Sequence, residues 1–154
     1  MLFRSADALV RGVTPHPSQR SISRAMGRLD EYWRRSGGTL DVAAPEQSLR
    51  RLREQVGHVT SWESFLETPV TVDTDDIVPR DLAAQLDALP NSAGILGDRV
   101  PLVYGVEGGS GVVRLRLREG QARRLRSRDL PAVDRALRFS VYRGKREVAR
   151  AASL

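Results

Sequence analysis

The sequence predicts an α+β fold, in which a helical N-terminal half packs with a small antiparallel β-sheet formed mainly by the C-terminal half. Through residues 1–66, apolar residues recur every three or four positions, which is the spacing of one helix face. From Gly94 onward, apolar and charged residues alternate between glycine-containing turns, as in strands. We therefore expect a helical segment at 1–66 and an α+β domain with a basic surface at 67–154, or one compact domain overall.

Glycines and prolines divide the helical segment into separate helices. A first helix is predicted over Leu2–Val10, and a second contains Ile22–Trp33, whose apolar residues share one face, and ends at Gly37-Gly38. Residues Pro45–Gly57 predict a third helix, because proline suits a first helical turn and glycine a helix end. A short turn of helix is expected at Trp62–Leu66.

The character of the sequence changes after this point. Pro69–Asp73 has the composition of a strand, and the leucines of Pro79–Leu89 have helical spacing. The sheet is expected to begin at Ile95-Leu96, to turn at Gly97-Asp98 and to continue through Val100–Tyr104.

The glycine-rich stretch Gly105–Gly111 is predicted to turn the chain into a strand at Val113–Arg118. Leu115 and Leu117 of that strand would face the core, opposite Leu102 or Tyr104.

The last part of the chain predicts helices and a hairpin. Short helices are expected at Glu119–Leu125 and near Leu130–Leu137. The segments Arg138–Tyr142 and Arg146–Ala149 would then form a hairpin that turns at Gly144.

Positive charge is concentrated at the C-terminus. Between Gly111 and Leu154, twelve arginines and the only lysine of the chain stand against four carboxylates, whereas residues 54–107 carry ten carboxylates and two arginines. Arginine binds phosphate through a bidentate fork and stacks on bases, so this basic region suits nucleic acid. Aromatic residues are few, which argues against a platform that stacks many bases.

Three arginines alternate with apolar residues in Val113–Arg118 and form the strongest functional signal. Side chains two positions apart on one strand face stand about 6.6 Å apart, and such a row can follow a phosphodiester backbone. Two other interpretations stay open. The row can be the solvated face of a half-exposed strand, or a basic surface that docks against residues 54–107 or against an acidic partner.

The sequence offers few groups for nucleophilic or phosphate chemistry. His16 and His58 are its only histidines, and no nucleophile-elbow sequence accompanies them, so we expect ordinary surface or helix-end residues. Gly105–Gly111 lacks the lysine of a phosphate-binding loop and leads into a strand, which favours a hairpin loop.

Asp73, Asp75 and Asp76, with Asp81 nearby, are the best candidates for a cation site, since hard cations prefer carboxylate oxygens. The EF-hand spacing is absent, and a solvated acidic loop or a helix cap is the expected role. No ATPase, nuclease or hydrolase motif is present, so we predict a protein that is not an enzyme and has neither a cofactor nor a metal.

A cytoplasmic location without a membrane partner is expected. No apolar stretch approaches the roughly 18 residues of a membrane span, and Met1–Val10 contains Arg4 and Asp7 where a signal peptide would be apolar. The chain has no cysteine, which fits a reducing compartment.

Residues 79–154 carry a family resemblance in five segments: Leu89-Pro90, Gly97–Tyr104, Val112–Leu117, Arg118–Leu125 and Leu137–Arg146. This stretch resembles the C-terminal region of bacterial DEAD/DEAH-type (superfamily 2) ATP-dependent helicases, an accessory module that follows the two ATPase lobes. The chain departs from that family in having no Walker A loop, no Asp-Glu-Ala-Asp/His box and no arginine-finger motif. The resemblance therefore implies a non-catalytic accessory part, with a helicase ATPase core as its partner.

These observations predict an accessory domain of a helicase that binds RNA or DNA without sequence preference. The alternative is a protein-interaction or structural domain whose basic face docks an acidic partner. Tyr142 is a candidate for stacking a base, whereas Tyr104 is expected to pack in the core. The predicted nucleic-acid-binding residues are Arg114, Arg116, Arg118, Arg123, Arg124, Arg126, Arg143, Lys145 and Arg146.

Overall fold

A computed structural model describes residues 16–57 and 61–153 of the chain. Within this part, most helices lie in the N-terminal half and a five-stranded sheet forms in the C-terminal half, so the predicted α+β class is confirmed. The helix predicted over Leu2–Val10 lies outside the described residues, and so does His58.

In the described part, the helices that precede the sheet are α1 (Gln19–Arg35), α2 (Pro45–Val56), α3 (Trp62–Glu67), α4 (Thr74–Ile77) and α5 (Arg80–Asp87). Local sequence explains their ends. Pro45 occupies the first turn of α2, and Gly57 follows its last residue. The Ser61 hydroxyl accepts a hydrogen bond from the Ser64 N–H at 3.2 Å and caps α3.

The helical part has its own core, formed by Ile22, Leu52, Val56, Phe65 and Val70. Val70 reaches this core from an extended segment, and the strand predicted at Pro69–Asp73 is wrong. The side chain of Gln55 donates to the Thr71 carbonyl at 2.7 Å and accepts from the Thr71 N–H at 2.9 Å. These two bonds satisfy the backbone groups that a partner strand would otherwise satisfy.

The strands are β1 (Ser92–Ile95), β2 (Asp98–Glu107), β3 (Ser110–Arg118), β4 (Ala136–Arg143) and β5 (Arg146–Ala151), and they lie in sequence order across one sheet. The pairings β1–β2, β2–β3 and β4–β5 are antiparallel, as predicted. The pairing β3–β4 is parallel, so the sheet is mixed. A parallel pair needs a crossover of about a dozen residues or more, and helix α6 (Glu119–Arg124) with a 3₁₀ turn at Ser127–Asp129 provides it.

The helix predicted near Leu130–Leu137 is wrong. Strand β4 already begins at Ala136, and Leu137 lies opposite Val113 in β3. Pairing with β3 thus overrides the helical spacing of the local apolar residues.

Tight turns connect the antiparallel strands. Ile95 pairs with Asp98, so the first turn consists of Leu96 and Gly97, one residue earlier than predicted. The glycine-rich stretch also turns within two residues, Gly108 and Gly109, whose φ angles of 57° and 77° belong to the left-handed region. A hairpin, and not a phosphate-binding loop, is therefore confirmed there. Gly144 turns β4 into β5 as expected, with φ at 62°.

One face of the sheet carries a second core. Leu102 lies directly opposite Leu115, and both are buried with Leu117, Val113 and Phe139. Along β3, the buried side chains alternate with arginines. The predicted inward orientation of Leu115 and Leu117 is therefore confirmed.

The chain forms two compact units. The helical unit runs to Trp33 and continues over Thr39–Ala84. The sheet unit comprises Arg34–Gly38 and Gln85–Leu154. The sequence had suggested a boundary between residues 66 and 67.

Arg35 ties its short segment to the sheet unit. Its buried guanidinium donates to the carbonyls of Leu86 and Leu89 at 2.9 and 3.0 Å and also binds the Asn91 side chain. The guanidinium centre of Arg35 lies 5.1 Å from the centroid of the Tyr104 ring. Tyr104 is buried and donates its hydroxyl to the Pro90 carbonyl at 2.8 Å, so it packs in the core as predicted.

Candidate functional site

Strand β3 presents its arginines on the sheet face opposite the core. Leu115 and Leu117 are buried, whereas Arg116 and Arg118 are exposed and Arg114 is half-buried. The alternation in the sequence therefore produces a cationic row, as the strand period requires. The individual arginines of this row differ in what neutralises them.

Arg114 is neutralised by the protein itself. It donates to Glu107 at 2.8 Å and to the Phe139 carbonyl at 2.9 Å, and its side chain is only 17% exposed. Arg138 donates to the other oxygen of Glu107 at 3.0 Å. Hydrogen bonds from Arg114 and then Arg138 lower the pKa of Glu107 below its ordinary value. Arg114 is therefore a weak candidate for a phosphate contact, contrary to its place in the predicted site.

Glu119 neutralises a second pair of predicted residues. Arg143 binds it through both oxygens, at 2.9 and 2.7 Å, and Arg123 lies 3.9 Å away. The hydrogen bonds from Arg143 lower the pKa of Glu119. Both arginines stay highly exposed, with 72% and 79% of their side chains accessible, so solvent weakens these ion pairs.

Arg116 has an aromatic partner. Its guanidinium centre lies 4.5 Å from the centroid of the Tyr142 ring, within the range of a cation–π contact. The Tyr142 hydroxyl donates to Glu147 at 3.0 Å, and Arg150 donates to the other oxygen of Glu147. Hydrogen bonds from Arg150 and Tyr142 lower the pKa of Glu147. The ring is thus fixed from β5 while Arg116 covers it from β3.

Arg116 and Tyr142 lie at a surface depression of about 520 Å³, which we call the cationic depression. Its polar and aromatic lining is formed by Asp98, Arg99, Arg116, Arg118, Gln121, Tyr142 and Lys145. Four cations thus stand against the single carboxylate of Asp98. Within the described part of the chain, no carboxylate lies within ion-pair distance of any of these four cations.

Gln121 of α6 organises one side of the cationic depression. This buried amide accepts from the Arg118 N–H at 2.8 Å and donates to Asp98 at 3.0 Å. Gln121 therefore links the end of β3 to the start of β2 and fixes the position of the Asp98 carboxylate.

Only three of the nine predicted binding residues line this depression: Arg116, Arg118 and Lys145. Arg124 donates instead to the Gly120 carbonyl at 3.3 Å, in its own helix. Arg126 and Arg146 are exposed but do not line it.

Sequence reasoning missed Arg99, Asp98 and Gln121. Asp98 was assigned to a turn, and Arg99 stands in a segment whose other residues are mostly apolar. The available signal was the alternation Arg99-Val100-Pro101-Leu102 in β2, which places Arg99 and Pro101 on the face opposite the buried Val100 and Leu102.

The other candidates for chemistry are engaged in structural roles. His16 is buried, and its Nδ1 accepts from the Ser18 N–H, which leaves Nε2 to donate to the Phe65 carbonyl at 3.0 Å. The Asp73 side chain accepts from the Asp75 N–H at 3.0 Å and caps α4, which agrees with the expected capping role. Across residues 16–57 and 61–153, no three His, Asp or Glu side chains gather to hold a metal ion.

None of the helices in the described ranges combines the length and the apolar character needed to cross a membrane.

No protein-family model matches the chain, and no curated protein or solved structure matches it significantly.

Proposed function

We propose that this chain binds the phosphate backbone of nucleic acid, without sequence specificity, through the cationic depression. The observation that carries the proposal is the gathering of Arg99, Arg116, Arg118 and Lys145 around one concave site. These cations come from β2, β3 and the β4–β5 turn and have no carboxylate partner in the described chain. An anionic ligand would neutralise them without first breaking an internal ion pair.

The composition of the site suits an oxyanion ligand. Three of its four cations are arginines, whose planar forks match two oxygens of a phosphate or of a carboxylate at once. The remaining predicted residues, with Arg123 and Arg143 partly held by Glu119, would enlarge the footprint at low salt. Arg114, bound to Glu107, is excluded from the proposed contact set.

We propose further that the chain acts as an accessory domain beside a helicase ATPase core. The sequence resemblance over residues 79–154 supports this, and the cationic depression is compatible with a role in holding a nucleic-acid strand. In this role the chain contributes affinity for nucleic acid, and the partner contributes ATP hydrolysis.

The proposal is tested by fluorescence anisotropy with a labelled oligonucleotide and the double variant Arg118→Glu, Lys145→Glu. We expect the wild-type chain to bind at low salt and the variant to bind at least tenfold more weakly. The matched control is Arg20→Glu with Arg80→Glu, which changes the net charge equally at exposed positions in the other unit. This control should retain most of the affinity.

Two results would overturn the proposal. One is a wild-type chain that gives no anisotropy change at low salt. The other is an equal loss of affinity in the two double variants, which would attribute binding to net charge alone and not to the depression.

A further inference from the structure

Tyr142 and Arg116 form a preformed stack at the cationic depression. The ring is half-buried and is held by its hydroxyl on Glu147, which Arg150 fixes in turn. Arg116 lies over the ring at 4.5 Å and remains exposed. Since the ring orients the guanidinium before any ligand arrives, little ordering is left to occur on binding.

Tyr142 contacts the Arg116 guanidinium from one side, and a base can approach it from another side. Unpaired bases stack on arginine planes and aromatic rings, and this stacking does not depend on base identity. Bases within a duplex are stacked on each other and cannot reach such a plane without being unpaired. The stack therefore suits a base that is already free.

The rest of the depression suits a whole nucleotide better than a phosphate alone. Its volume of about 520 Å³ lies within the range of small-molecule sites. Arg99, Arg118 and Lys145 supply phosphate contacts, whereas Asp98, beside Gln121, offers an acceptor that would repel a second phosphate. A carboxylate in this position can accept a hydrogen bond from an amino group on the edge of a base.

We infer that the cationic depression takes one unpaired nucleotide, with its base stacked on Arg116 and its phosphate on the neighbouring cations, so that the chain prefers single-stranded nucleic acid to duplex. This inference rests on the proposed function, since it specifies the ligand of the same site.

The test compares a labelled single strand with the duplex of the same sequence, by anisotropy, for the wild type and three variants. The wild-type chain should bind the single strand about tenfold more tightly. Tyr142→Leu removes the ring, and Arg116→Lys keeps the charge but removes the plane. Both should lower single-strand affinity severalfold and duplex affinity by a clearly smaller factor, so that the preference for the single strand narrows. Tyr142→Phe keeps the ring but loses the hydrogen bond to Glu147, and should retain most of the preference.

A strand with 2-aminopurine gives a readout that a purely structural change would not produce. Its fluorescence should be altered on binding to the wild-type chain and not on binding to Arg116→Lys. Circular dichroism and thermal melting establish that each variant is folded, and Arg116→Lys carries the test if Tyr142→Leu does not fold.

The outcomes separate the two claims. Equal binding of single strand and duplex by the wild type, or an equal loss of both in the variants, overturns the single-strand inference and leaves the proposed function standing. Failure of both forms to bind at low salt overturns the proposed function itself.

Discussion

Gly111 lies at a point where two backbone segments nearly touch. A Cβ atom built on Gly111 would stand 2.6 Å from the Cα of Gly37, closer than side chains tolerate. Gly37 itself has φ at 68°, a conformation that favours glycine. The start of β3 and the segment after α1 therefore depend on glycine at both positions.

We predict that Gly111→Ala destabilises the chain by about 1–3 kcal/mol, because neither backbone segment can yield without disturbing its hydrogen bonds. Gly120→Ala is the matched control: a Cβ there meets nothing within 4 Å, and the residue lies in α6. It should be neutral or stabilising by up to about 1 kcal/mol. Urea denaturation of both variants provides the measurement, and equal midpoints would contradict the proposed clash.

Arg35 shows how one side chain can satisfy two carbonyls, those of Leu86 and Leu89. Replacing it by methionine keeps much of the apolar stem but leaves the Leu86 and Leu89 carbonyls without this donor. We expect Arg35→Met to lower the free energy of unfolding by about 1–3 kcal/mol. Arg20→Met, a change at an exposed position of the same helix, should have little effect. Thermal melting of the two variants beside the wild type measures the difference.

At the scale of the element, Glu107 holds β2 against β3 and β4 through two arginines. Its pKa is lowered from 4.5 in the folded chain, so its stabilising contribution is complete above about pH 4.5. The contribution is lost as the pH falls through the lower, folded-state pKa. The carboxylate is 44% exposed, which limits the contribution to about 1 kcal/mol.

Glu107→Gln should therefore be less stable than the wild type at pH 7, and the difference should close as the pH falls below 4.5. The exposed Glu54→Gln makes the same change of charge away from these two ion pairs and serves as the control. Urea midpoints across an acid pH series measure both. A gap in Glu107→Gln that persists unchanged at low pH would show that the ion pairs are not its source.

Glu119 binds Arg123 and Arg143, so under the proposed function it would compete with nucleic acid for these two arginines. Its replacement by glutamine should raise oligonucleotide affinity. It should also steepen the slope of the logarithm of affinity against that of salt concentration, by about 0.7 for each cation that gains a single-strand phosphate contact. Glu63→Gln makes the same change of charge at an exposed site in the other unit and should have a smaller effect. Anisotropy titrations at several salt concentrations test this, and equal gains in the two variants would speak against local competition.

At the scale of the whole molecule, the cationic depression predicts a modest salt dependence. With Arg116 stacked on a base as inferred, the three cations proposed to contact phosphate, Arg99, Arg118 and Lys145, should give a slope of about −2 for the logarithm of single-strand affinity against that of salt concentration. A slope several times steeper would mean that the whole basic C-terminal region engages the ligand. Anisotropy titrations of the wild-type chain at salt concentrations between about 50 and 200 mM measure this slope.

Much of this architecture could be predicted, because it depends on local patterns. The alternation around Leu115 and Leu117 gave the inward face of β3, and Pro45 with Gly57 gave both ends of α2. The parallel pairing of β3 with β4 could not be derived in this way, since the register between distant segments is a property of the folded sheet.

The candidate site was predictable only as a region of charge. The sequence showed which side chains share the face of β3, but not that Glu107 neutralises Arg114 or that Glu119 binds Arg143. Those pairs join residues that the sheet and α6 bring together. Arg99 was missed although its alternation with Val100 was visible, because the sequence does not show that Arg99 lines the same depression as Arg116 and Lys145.

The outer strand β5 has a further consequence for the behaviour of the chain at high concentration. Within the described residues, β5 pairs only with β4, so its other edge has no partner strand. Arg146 and Arg150 are exposed along it, Arg150 in an ion pair with Glu147 of the same strand. Cationic residues on an open edge repel the same strand of a second molecule, and so oppose the edge-to-edge growth that leads to aggregates.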